Sequence, residues 1–80
     1  MMSRTFGSKR HEALTAFLKQ KRKSAGMTQA EVAEKLGRYQ SFITDYERGQ
    51  KRIDAVELVE IAEAIGFDPK DAIKAIQRVK

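Results

Sequence analysis

The chain contains no cysteine and no tryptophan, and among its 80 residues there is one proline and one histidine. Without cysteine no disulfide and no thiolate metal site can form, and His11 alone makes no metal cluster. The same absence is compatible with a reducing cytoplasm. No apolar run approaches the ~20 residues that span a bilayer, and no signal-peptide pattern follows Met1. There is no glycine-rich phosphate loop, no paired-carboxylate cleft, and no base at useful spacing from a serine nucleophile. The expectation is therefore a cytoplasmic protein that is not an enzyme, with no metal, no cofactor and no membrane partner. No segment alternates as a strand does, and there are no repeats or low-complexity tracts.

What is present is positive charge, unevenly placed. Sixteen basic residues face eleven acids, for a net charge of +5. Up to residue 28 the bases are Arg4, Lys9, Arg10, Lys19, Lys21, Arg22 and Lys23, against Glu12 alone. From residue 50 onward the two signs balance. A basic excess gathered at one end favours a polyanionic partner, although a solvated basic helix would have the same composition.

Eighty residues make one small domain with a modest core. Residues 1–7 contain Gly7, show no periodicity and read as a flexible arm. Arg4 in this arm could reach a phosphate or a minor groove, but a disordered tail is the simpler reading. Residues 8–80 form the domain. Ser8 is a plausible cap for a first helix running to about Ala25, with Leu14, Phe17, Leu18, the stem of Lys21, Arg22 and Ala25 on its inner side and Gly26 ending it. Met27 reads as core filler. Thr28 and Glu31 form a capping box for a second helix over 29–36, which Gly37 stops. A third helix covers about 40–48 and is closed by Gly49. Asp54 and Glu57 cap a fourth, whose buried stripe is Val56 or Leu58, then Ile61, Ala62 and Ile65, with Gly66 as its end. Asp68-Pro69 starts a fifth, carrying Ala72, Ile73, Ile76 and Val79 at helical spacing. The core expected from these stripes is Val32, Leu36, Ile43, Tyr46, Leu58, Ile61, Ile65 and Phe67. The sum is an all-α domain of five helices.

The stretch 28–49 organises the rest. Its second segment has two faces: Ile43, Tyr46 and the stem of Glu47 on one, Gln40, Ser41, Thr44, Asp45 and Arg48 on the other. A row of short hydrogen-bonding side chains on an exposed helix edge suits the base-pair edges of a DNA major groove. Gln29, Ala33, Gly37, Gln40, Ile43, Glu47 and Gly49, followed by Leu58, Ala62, Ile65 and Gly66, make the chain resemble the phage repressor and Cro type of helix-turn-helix protein, the XRE family, over roughly residues 14–75. The resemblance implies a compact lambda-repressor-like domain with the helix-turn-helix at helices two and three.

It also implies roles. Gln40 would read a base, with Ser41, Thr44 and Asp45 on the base-facing edge. Gln29, at the start of the second helix, would hold a phosphate and brace Gln40. Amides both donate and accept, and helix N-termini attract phosphate, so the chemistry agrees. Arg38, Arg48, Lys51 and Arg52 cluster around the third helix as phosphate contacts. Asp45 departs from the family, which more often has a basic or amide residue there. It can accept from a cytosine amino group or pair with a cation of its own protein. Tyr39 stands where a small capping residue is usual; stacking on sugar and phosphate, or lying over the second helix, are its two options. Phe42 can touch a thymine methyl or form a lid at the domain edge. Arg22 and Glu47 would form an internal ion pair.

The function this implies is sequence-specific binding of double-stranded DNA by a transcriptional regulator, a repressor in the simplest case, acting as a homodimer. A toxin or RNA polymerase would be a possible protein partner. The alternative is an antitoxin-like interaction module that also binds its own promoter.

Overall fold

The computed structural model describes residues 8–80; the arm 1–7, with Arg4, lies outside them. Five helices follow in order: α1 (Lys9–Ser24), α2 (Gln29–Leu36), α3 (Gln40–Glu47), α4 (Ala55–Ile65) and α5 (Pro69–Gln77). Four of the five start on a side-chain cap. Ser8 accepts from the His11 amide, Thr28 from Glu31, Asp54 from Glu57 and Asp68 from Lys70. Thr28/Glu31 and Asp54/Glu57 are complete capping boxes, and each cap contributes about 1 kcal/mol. Only α3 lacks one: Tyr39 has the backbone of a cap but makes no side-chain bond to it.

The helices close around one core. α1 packs on α5 and α3, and α2 packs on α3 and α4. Leu18, Val32, Ile43, Tyr46, Ile61 and Ala72 are sealed from solvent, with Leu14, Ala33, Phe42, Leu58 and Ala62 nearly so. Leu36, Ile65, Phe67 and Met27 pack against this core partly buried. Phe17 meets Phe67 edge-on at 5.4 Å, an arrangement that suits the ring quadrupoles. Gly37, at φ +68, lets the chain leave α2 in the left-handed region and turn directly into α3.

Several expectations are corrected. Helix α3 ends at Glu47, with Arg48 as its cap residue rather than its last member. The left-handed Gly49 that follows (φ +77) takes the chain out of the helix. Ala25 is exposed. Of the two alternatives on α4, Leu58 is buried and Val56 is 67% exposed. Leu58, Ile61, Ala62 and Ile65 keep the i, i+3, i+4, i+7 register, whereas Val56, two residues earlier, falls well round the helix. On α5, Ala72 is buried and Ile76 half-buried, but Ile73 points partly to solvent.

Tyr46 carries an unusual cost. Its ring is fully buried, and its hydroxyl has no hydrogen-bond partner among the described residues. Burial pushes the phenol well above its ordinary pKa of 10.0; the Glu47 charge adds to this and Arg22 opposes it. An unpaired buried hydroxyl costs about 1–3 kcal/mol. Tyr46→Phe is therefore expected to raise stability by about 1 kcal/mol in a urea titration. The folded chain keeps this proton to higher pH than the unfolded chain. Wild-type stability is thus whole below pH ~10 and falls above it, and the Phe variant should lose that part of the alkaline sensitivity. A lower urea midpoint for Tyr46→Phe would show that the hydroxyl has a partner after all.

Candidate nucleic-acid interface

Helix α3 is held from behind and from one end. Ile43 and Tyr46 are at zero exposure. At the C-terminal end, Arg22 Nε donates to Glu47 Oε2 at 2.6 Å and Nη2 to Oε1 at 3.0 Å. The remaining terminal nitrogen, Nη1, donates to the Met27 carbonyl at 2.8 Å. Only 10% of the Arg22 side chain and 2% of the Glu47 side chain reach solvent. The bond to Glu47 raises the Arg22 pKa above its ordinary value, with burial opposing. Arg22 is thus spent inside the protein and drops out of the basic excess counted on the first helix. His11, on α1, reaches the same region: its Nε2 lies 3.3 Å from the Gly49 carbonyl.

A second set of bonds runs outward from Glu47. Gln29 Nε2 donates to Glu47 Oε1 at 3.0 Å. A carboxylate only accepts, so this contact fixes which way the Gln29 amide faces. Its carbonyl is then turned to α3, where it accepts from the Thr44 hydroxyl at 2.8 Å and from Gln40 Nε2 at 3.4 Å. The second contact is long, so Gln40 is aligned rather than locked. The chain Arg22–Glu47–Gln29–Gln40 thus links the interior to the exposed start of α3. Gln40 and Ser41 are exposed, while Thr44 is half-buried with its hydroxyl proton committed to Gln29. Asp45 is half-buried and makes no ion pair among the described residues.

Cations follow α3 in the chain: Arg48, its cap residue, and Arg52, in the next loop, are exposed. Arg38 lies over the Phe42 ring, 4.2 Å from its centroid, and Lys51 Nζ lies over the same ring at 5.3 Å. Arg38 also pairs with Glu57 at 3.3 Å, with 42% of its side chain still in solvent. Tyr39 is 88% exposed and does not lie over α2. Phe42 is 9% exposed, so of its two options it sits at the core edge rather than reaching for a base. Its contacts, and the Glu57 pairing, were missed in the sequence. The only signal was an aromatic between two cationic loops, which has no fixed spacing. Among the described residues no helix is long and apolar enough to cross a membrane, and no group of three or more acidic or histidine side chains could hold a metal.

Two short helices joined by a glycine turn, the second anchored from behind and carrying a polar outer edge flanked by cations, define a helix-turn-helix. The helix-turn-helix family model matches residues 18–71. An XRE-family like protein from Pseudomonas syringae pv. tomato str. DC3000 is 35% identical, covers 89% of this chain and 87% of its own, and superposes with a TM-score of 0.81. This chain belongs to the XRE family of helix-turn-helix proteins, which are DNA-binding transcriptional regulators. The clp gene regulator ClgR from C. glutamicum is 27% identical, with 89% of this chain and 92% of that chain covered and a TM-score of 0.80. The fold also matches the restriction-modification controller protein C.Esp1396I, solved as a tetramer with its natural 35 base-pair operator: 23% identity, 88% and 97% coverage, TM-score 0.76. No curated protein matches the sequence.

Proposed function

We propose that this protein is a sequence-specific repressor that binds double-stranded DNA as a homodimer, with α3 in the major groove. The observation that carries the reading is the division of α3. Ile43 and Tyr46 hold it from inside, and Gln40 and Ser41 stand unobstructed on the outside. Gln40 reads a base, adenine by preference, because its amide can match the N6 and N7 groups together. Ser41 and Asp45 face the neighbouring bases. Thr44 contributes chiefly by orienting Gln29, which keeps one amide hydrogen for a phosphate. Arg38, Tyr39, Arg48, Lys51 and Arg52 hold the backbone on either side.

An eight-residue helix covers only a few base pairs, so specificity calls for two copies. Symmetric copies about 34 Å apart would enter successive major grooves on one face of the duplex. Val56, Val59 and Ile73 are exposed apolar side chains on α4 and α5 that a second subunit would cover, and α5 remains the candidate dimer element. Repression follows from occupancy: a dimer seated over a promoter excludes polymerase.

Selection of bound duplexes from a random DNA pool tests this. The expected result is a palindrome whose half-sites lie about one helical turn apart. A pool that stays random, or a single non-repeated site, would reject the symmetric reading.

A further inference from the structure

Phe42 reads no base, yet it stands at the centre of the cationic flank. Its buried ring is edge-on to Tyr46, with centroids 5.5 Å apart at 81°, so the core fixes its orientation. Over that ring lie Arg38, from the turn between α2 and α3, and Lys51, from the loop after α3. Two loops on opposite sides of α3 in the sequence are thereby gathered on one aromatic side chain. The ring face is negative and attracts both cations. A guanidinium stacked on a ring keeps its N–H edge available in the plane. Glu57 holds Arg38 at Nη2 alone, at 3.3 Å. Leucine at position 42 would fill the core edge as well but would hold neither cation.

We propose that Phe42 is a positioning residue for the DNA backbone: its buried ring sets Arg38 and Lys51 in advance as a two-point phosphate clamp beside α3. This rests on the reading of Arg38 and Lys51 as phosphate contacts. Long cationic side chains on loops lose rotamer freedom when they bind. Cations already gathered on a ring lose less of it and stay within reach of the phosphates; without the ring one of the two contacts is no longer made, so the clamp raises affinity without touching a base.

The test is binding of a fluorescent mixed-sequence DNA duplex across a salt series, since phosphate contacts act on any sequence. Arg38→Ala/Lys51→Ala is expected to lower the slope of log affinity against log salt by about two. Phe42→Leu should weaken binding about fivefold and lower the slope by about one. Phe42→Tyr, which keeps the ring, should restore both, and Phe42→Leu should add nothing in the Arg38→Ala/Lys51→Ala background. A urea titration of each variant confirms folding, and Phe42→Met replaces Phe42→Leu if the latter unfolds. A folded Phe42→Leu protein with wild-type affinity and slope, or one whose loss adds in full to the double variant, overturns the clamp and leaves the phosphate contacts standing. A double variant that binds like wild type at every salt concentration overturns both.

Discussion

Glu47→Ala is expected to destabilise the domain by about 3–5 kcal/mol, the usual cost of stripping one partner from a buried ion pair. The loss comes from what stays behind. Arg22 is buried, with its charge held by two hydrogen bonds to Glu47. Without the carboxylate, the guanidinium keeps, among the described residues, only the Met27 carbonyl and is otherwise a charge in a poorly hydrated place. Gln29 loses the acceptor that orients its amide as well. An 80-residue chain has a stability of about 4–12 kcal/mol, so the variant would be near its unfolding threshold. Urea titration measures this directly, and a midpoint shift worth only a few tenths of a kilocalorie would show that the pair is not sealed. Replacing both partners by apolar residues of similar volume is expected to cost far less, because no orphan charge remains.

Gln40→Ala should flatten the preference at one base position in each half-site, a loss of about 1–3 kcal/mol of discrimination. The magnitude follows from a bidentate contact: one amide meets a donor and an acceptor on the same base edge, and no other base offers both in that order. The contact of Gln40 with Gln29 spares its carbonyl and one N–H for that purpose. Arg52→Ala is expected to behave differently. Arg52 is exposed in the loop that follows α3, and losing a phosphate contact weakens all duplexes alike and lowers the salt slope by about one. A binding array separates the two outcomes. Indistinguishable array profiles for the two variants would remove the distinction between base reading and backbone holding.

The architecture was legible because its signals are local. Thr28/Glu31 and Asp54/Glu57 act within one helical turn, and Asp68-Pro69 within two residues. Gly37 marks its turn by an absent β-carbon, and the stripe from Leu58 to Ile65 repeats with the helical period. The family resemblance added the Arg22–Glu47 pair and the bracing of Gln40 by Gln29, which separation in sequence hides from such local rules.

The amino-acid order alone thus determined five helices, four of them with side-chain caps, the glycine turn before α3, and a third helix with one apolar and one polar side. Tertiary structure alone decided that Leu58 and not Val56 faces inward, that Thr44 gives its hydroxyl to Gln29, that Arg38 is shared between Phe42 and Glu57, and that the Tyr46 hydroxyl has no partner among the described residues. The reason is range. Caps and stripes depend on neighbours within four residues, which the helix geometry fixes, whereas these contacts depend on how the helices cross and on which side chains that crossing brings within about 3–5 Å.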